Sequence, residues 1–90
     1  MIAKRVLFFG RVQGVGFRYS VKQLALSYEV LGTVENLPDG SVQVLVTGDP
    51  AEVEPFVEAI RTESEVSHFI KEHRIMLTSP FQAKGFTIKR

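Results

Sequence analysis

An arginine closes a glycine-rich segment, GRVQGVGFR (residues 10–18), that leaves much of its backbone open to a ligand. Glycine tolerates positive φ and has no Cβ, so Gly14 and Gly16 allow the chain to turn sharply and to approach a ligand closely. The Arg18 guanidinium presents a planar fork that binds two phosphate oxygens at once. This combination of residues predicts an anion site, and phosphate is the anion that such sites commonly hold.

The surrounding pattern places this segment between a strand and a helix. A strand is predicted over residues 4–12, apolar on both faces in its middle and therefore central in a sheet. A helix follows, since apolar residues recur at helical spacing. Its stripe consists of Phe17, Val21, Leu24, Ala25 and Tyr28. We expect six phenylalanines in the core, and they are Phe8, Phe9, Phe17, Phe56, Phe69 and Phe86.

The start of this helix lacks the usual cap. The first N–H groups of a helix have no partner within it, and Ser, Thr, Asp or Asn commonly caps one of them. Residues 13–18 contain none of these types. The amides are therefore free for an anion or, on the simpler interpretation, for water alone. Arginine in a first helical turn opposes the helix dipole by about 0.3–1 kcal/mol, which favours a functional reason for Arg18.

A hairpin is predicted over residues 30–47, and it contains the second candidate residue. Residues 38–40 read Pro-Asp-Gly and have turn chemistry, and valines alternate over the strand that follows them. Asn36 lies near the end of the first hairpin strand. Its amide both donates and accepts hydrogen bonds, so it could hold a water molecule without repelling a phosphate. An Asx turn that stabilises the hairpin is the alternative, and spacing alone favours it.

The rest of the chain predicts a second helix and two further strands. Asp49 is placed to cap that helix, Pro50 suits its first position and Glu52 suits a capping box. Pro55 predicts a kink or a shortened helix. A loop is expected over residues 61–68, a strand over 69–77 and a short one over 85–89. The order β-α-β-β-α-β predicts one α+β domain spanning residues 1–90, with two helices on one face of a mostly antiparallel sheet.

Composition narrows the classes of function. The 90 residues include no cysteine, which excludes disulfides, thiolate metal sites and a cysteine nucleophile. His68 and His73 would face opposite sides of a strand, so no metal site is expected. The net charge of +1 gives no general attraction for nucleic acid. No apolar run is long enough for a signal peptide or a membrane span, so a soluble cytoplasmic protein is expected.

Two segments together resemble the acylphosphatase family. GRVQGVGFR resembles its G-x-V-Q-G-V-x-F-R motif, and GTVENLPDGSV (residues 32–42) resembles its G-x-V-x-N-x-x-D-G-x-V motif. The resemblance covers nearly the whole chain. From about Thr62 onwards, it lies in the order of the predicted elements and not in a sequence motif. It implies a ferredoxin-like sandwich and metal-independent hydrolysis of acyl phosphates such as acetyl phosphate. A monomer without cofactor or nucleic-acid partner is expected.

The resemblance also implies roles for individual residues. Arg18 would bind the phosphate together with the loop, and Asn36 would position the attacking water. The phosphate-binding set is Gln13, Gly14, Val15, Gly16, Phe17 and Arg18.

Four positions bear on packing and loop geometry more than on the anion site. Val21, Glu29 and Thr33 replace residues that are common in the family, and Pro55 is awkward within its helix. These four positions leave the stability and the substrate preference of the protein open, and they affect the expected reaction less.

The alternative is a non-catalytic ferredoxin-like module that binds a small ligand or RNA. RNA-binding domains share the β-α-β-β-α-β layout, but the third predicted strand, SVQVLVT, has no aromatic residue on which a base could stack.

Overall fold

The computed structural model describes residues 1–90, which form two helices and five strands in the predicted order. The elements are β1 (Ile2–Gly10), α1 (Phe17–Ala25), β2 (Val30–Asn36), β3 (Val42–Gly48), α2 (Pro50–Thr62), β4 (Ile70–Thr78) and β5 (Phe86–Lys89). A 3₁₀ turn at Ser67–Phe69 leads into β4. The predicted fold class is therefore confirmed.

The sheet has the strand order β4-β1-β3-β2-β5. β1 is an interior strand, as its apolar faces predicted, because it pairs antiparallel with both β3 and β4. β2 and β3 form the predicted antiparallel hairpin. The short β5 pairs in parallel with β2 along the far edge. This pair brings the end of the chain next to the end of β2.

One face of the sheet packs against both helices and forms the core. Valines that alternate along β2 and β3 fill this face because successive strand side chains point to opposite sides. Phe56 is completely buried at the centre of α2, and its ring contacts those of Tyr28 and Phe86. Phe8 and Phe17 pack together where β1 meets α1, with ring centroids 5.4 Å apart. This last contact anchors the first turn of α1 on the sheet.

The expected phenylalanine core is only partly correct. Phe8, Phe17 and Phe56 are buried, whereas Phe9 is half-buried on the face of the sheet that the helices leave uncovered. There the guanidinium of Arg74 lies 5.5 Å from the centre of its ring. Phe9 follows the buried Phe8 in β1, and side chains alternate between faces, so both phenylalanines could not enter one core.

β1 lies two residues earlier than predicted. It begins at Ile2, which pairs with Gly48, and it ends at Gly10, where φ is 128°. A Cβ at Gly10 would lie 2.4 Å from the carbonyl oxygen of Phe69. The close approach of these two backbones ends the strand, and the chain then turns away with Val12 buried in the core.

Pro55 does not shorten α2, which corrects that part of the prediction. The helix continues to Thr62, so two residues of the expected loop are helical. The missing proline N–H would have bonded to the carbonyl of Ala51, and both residues are exposed. Water can therefore satisfy that carbonyl, while Val53 and Ile60 hold the inner face of the helix on the sheet.

Asp49 caps α2 as predicted, its carboxylate accepting from the N–H of Ala51 at 2.9 Å. Glu52 does not complete the predicted capping box. Its carboxylate instead accepts from the backbone N–H of Glu29 at 2.8 Å, which joins the segment after α1 to the start of α2. α1 itself ends at Ala25 with no left-handed residue, so Glu29 faces no conformational penalty. Neither helix is long and apolar enough to cross a membrane.

Candidate functional site

The loop between β1 and α1 carries the geometry that its glycines predicted. Gly14 has φ of 78° and Gly16 has φ of 81°, both in the left-handed region that favours glycine. Gly16 is the N-cap of α1 and provides no side chain for the helix start. The first helical hydrogen bond joins the N–H of Ser20 to the carbonyl of Gly16 at 3.0 Å. The preceding N–H groups therefore have no acceptor within α1.

Gln13 attaches this loop to the β2–β3 hairpin. Its side-chain amide donates to the carbonyl oxygens of Leu37 at 2.8 Å and Ser41 at 2.9 Å. Both hydrogen bonds reach the turn that follows Asn36. The side chain of Gln13 thus fixes the position of the glycine loop relative to Asn36.

Asp39, and not Asn36, provides the side-chain hydrogen bonds of the hairpin turn. Its carboxylate accepts from the hydroxyl and the N–H of Ser41, at 2.6 and 2.9 Å. Both bonds lower the pKa of the Asp39 carboxyl, and the bond from the Ser41 hydroxyl has the larger effect. The side-chain oxygen Oδ1 of Asn36 is buried and has no hydrogen-bond partner in the protein. The Asx-turn interpretation of Asn36 is therefore wrong.

A cavity of about 210 Å³ brings the two motifs together. Arg18 reaches it from the first turn of α1, and Asn36 reaches it from the end of β2. Of the residues predicted for the site, those that line the cavity are Gly14, Gly16, Phe17, Arg18 and Asn36. Gln13 does not line the cavity, and Val15 lines a neighbouring groove instead.

Four cavity residues were not predicted as site residues: the apolar Val12 and Ile88, and the polar Tyr19 and Arg90. Arg90 directly follows β5. Val34 pairs with Ile88 and Glu35 pairs with Lys89, so the same register places Arg90 beside Asn36. No local sequence signal identifies Arg90, because its position depends on a parallel strand pair. Tyr19 follows Arg18 on α1, and an aromatic residue beside an anion-binding arginine could have indicated it.

The cavity is positively charged. Its only charged side chains are those of Arg18 and Arg90, and no Asp or Glu lines it. Both ion pairs of the structure lie elsewhere, between Arg61 and Glu58 and between Arg74 and Glu72. The residues that line this small space thus carry two unpaired guanidinium groups, a helix start without a cap and a buried amide oxygen. Such a set of donors and charges suits a phosphate group and a water molecule.

Comparisons with known proteins agree with this geometry. The family model described as Acylphosphatase matches residues 4–88. A protein of Staphylococcus aureus (strain Newman) named Acylphosphatase is 37% identical over 67 residues, which cover 74% of each chain. The crystal structure of acylphosphatase from Bacillus subtilis has a TM-score of 0.85 and 31% identity, with 100% of both chains covered. Full-length HypF, in a phosphate- and nucleotide-bound form, matches with a TM-score of 0.89 and 30% identity, over 99% of this chain and 12% of that one.

Proposed function

This chain belongs to the acylphosphatase family and is an acyl phosphate hydrolase; from that premise we propose how its residues perform the reaction. Arg18 and the backbone amides of residues 14–18 bind the phosphoryl group. Asn36 positions the attacking water. No metal ion takes part in this scheme.

Binding of the phosphoryl group uses two kinds of donor. The guanidinium of Arg18 donates to two phosphoryl oxygens, while the N–H groups at the start of α1 donate to the others. Phosphoryl transfer places charge on the equatorial oxygens of the transition state, so fixed donors around them lower the barrier. Arg90 adds a second positive charge beside Asn36. The left-handed Gly14 and Gly16 keep Cβ atoms away from this ring of donors.

The buried Oδ1 of Asn36 is the observation that carries the proposal. It is an acceptor without a protein partner, and Asn36 lines the cavity that also contains Arg18. A buried acceptor without a partner lowers stability, so its presence at this position suits a role in binding water. A water molecule that donates one hydrogen bond to Oδ1 directs an oxygen lone pair towards phosphorus.

The chemistry that follows needs no protein acid. The water oxygen forms a bond to phosphorus while the bond from phosphorus to the acyl oxygen breaks, and the electron pair leaves with the carboxylate. One water proton passes to a phosphoryl oxygen and the other remains on the new hydroxyl group. The products are a carboxylate and inorganic phosphate. A carboxylate is a stable leaving group without protonation, so correct positioning and charge stabilisation are sufficient.

The test is hydrolysis of benzoyl phosphate, followed by ultraviolet absorbance in the presence of EDTA. We expect the wild-type protein to hydrolyse it and Arg18→Ala to lose nearly all activity. Arg18→Lys should restore little, because one ammonium cannot replace a two-pronged donor. Arg11→Ala is the matched control, since Arg11 is exposed at the start of the same loop and does not line the cavity. Near-normal turnover by either Arg18 variant would refute the role given to Arg18.

A further inference from the structure

A second, larger space shares part of its lining with the cavity that contains Arg18 and Asn36. This groove has a volume of about 470 Å³, within the range of small-molecule sites, and shares Gly16 and Tyr19 with the cavity. Asn36 and Arg90 do not line it. The two shared residues lie where α1 begins. The lining of the groove follows α1 from Tyr19 to Leu24, a length of roughly 8 Å at 1.5 Å per residue, and includes Ser27 beyond the end of the helix.

We propose that this groove binds the acyl group of the substrate, an inference that rests on the proposed function. In phosphoryl transfer the attacking and leaving oxygens lie roughly in line with phosphorus. If Asn36 positions the water, the acyl group must leave from the side of the phosphoryl group that faces away from Asn36. The groove shares Gly16 and Tyr19 with the cavity and does not include Asn36 among its walls.

The lining of the groove defines the class of acyl group. Tyr19 stands at the junction with 63% of its surface exposed, so its ring is free to stack on a planar or apolar group. Val15 and Leu24 contribute apolar surface, and Val66 adds little because it is only 5% exposed. Four uncharged polar residues complete this part of the lining: Ser20, Gln23, Ser27 and Ser64. The only charged residues of the groove are Glu63 and Glu65. These walls fit an aromatic or extended apolar acyl group and disfavour one with a second negative charge.

The first arm of the test compares a long and a short substrate. We expect Tyr19→Ala to lower kcat/KM for benzoyl phosphate about tenfold, the upper range for loss of an aromatic contact. Hydrolysis of acetyl phosphate, which has no ring to stack on Tyr19, should fall by a smaller factor, about threefold or less. Tyr19→Phe should retain the benzoyl rate, since it keeps the ring. Leu26→Ala is the control, because Leu26 is 77% exposed beyond the end of α1 and lies outside the groove.

The second arm tests the charge of the groove with 4-carboxybenzoyl phosphate. Its kcat/KM should rise about threefold relative to benzoyl phosphate when Glu63 and Glu65 are both replaced by Gln, as expected for exposed charges. The gain should diminish with added salt. Glu54→Gln is the control, because Glu54 is exposed on α2 and does not line the groove.

The outcomes separate this inference from the proposed function. Hydrolysis of neither acetyl nor benzoyl phosphate by the wild-type protein would refute the function, and the inference with it. The wild-type protein could hydrolyse both substrates while Tyr19→Ala lowers kcat/KM equally for the two, or for neither. That result would overturn the acyl site alone. An unchanged preference against 4-carboxybenzoyl phosphate in the double Gln variant would overturn the charge assignment.

Discussion

In the proposed mechanism, Asn36 serves the reaction at a cost to the stability of the protein. Its side-chain oxygen is buried without a partner, although every other buried side-chain nitrogen or oxygen in the structure has one. Such groups usually lower stability unless a ligand or water engages them. The hairpin does not need this amide, because Asp39 and Ser41 supply the hydrogen bonds of the turn. The side-chain oxygen of Asn36 thus has no structural partner that would compete with a bound water molecule.

Replacement of Asn36 by alanine should separate activity from stability. We expect turnover of benzoyl phosphate to fall by about 10²–10³, the scale of losing one group that positions a transition state. The affinity for inorganic phosphate, measured as a competitive inhibitor, should stay near the wild-type value because Arg18 and the amides remain. The midpoint of urea unfolding should stay the same or rise. A joint loss of turnover and phosphate affinity would make Asn36 a scaffold residue.

At the scale of elements, the site depends on how the β1–α1 loop is held against the β2–β3 hairpin. The loop contributes Arg18 and the hairpin contributes Asn36, and the side chain of Gln13 joins the two. The carbonyls of Leu37 and Ser41 that it contacts also accept hydrogen bonds from the hairpin's own N–H groups. Gln13 is therefore more important for the relative position of the two elements than for the hairpin turn itself.

Gln13→Ala should weaken phosphate binding as well as folding. Loss of two hydrogen bonds should lower the free energy of unfolding by about 1–2 kcal/mol, measured by urea denaturation. The inhibition constant of inorganic phosphate should increase, since the loop amides lose their fixed position. Gln82→Ala is the control, because Gln82 is exposed and makes no such bonds. Reduced stability with unchanged phosphate affinity would show that Gln13 supports only the hairpin.

At the scale of the whole molecule, the cavity is assembled from three separate parts of the chain. The loop before α1, the end of β2 and the residues at the end of β5 meet only when the sheet has formed in its native register. A ligand that binds all three parts binds the folded state and not the unfolded chain. Its binding free energy must therefore add to the stability of the domain.

Inorganic phosphate should accordingly raise the thermal unfolding midpoint of the wild-type protein. At ten times its dissociation constant, phosphate would contribute about 1.4 kcal/mol. For a domain of 90 residues this corresponds to a shift of about 5–10 °C. Potassium chloride at equal ionic strength should produce no such shift, and neither should phosphate added to Arg18→Ala. An equal shift in that variant would place the anion outside the proposed cavity.

The sequence by itself determined the order of helices and strands and the glycine-rich loop between β1 and α1, which contributes to the candidate site. Turn residues, caps and apolar periodicity act over a few neighbouring positions, so they predicted the hairpin, both helices and the missing cap at α1. The resemblance of two motifs connected Arg18 with Asn36, which spacing alone did not do. Local rules were wrong where packing intervened. The helix continues past Pro55 because the buried face of α2 holds it on the sheet.

Only the tertiary structure decided which distant residues share the cavity. Arg90 lies beside Asn36 because β5 pairs in parallel with β2, and a shift of that register by one residue would turn Arg90 to the other face of the sheet. The groove next to Tyr19 exists because the turn after α2 packs near α1. The unpartnered oxygen of Asn36 also depends on its surroundings. Strand register and helix packing join parts of the chain that no local pattern connects.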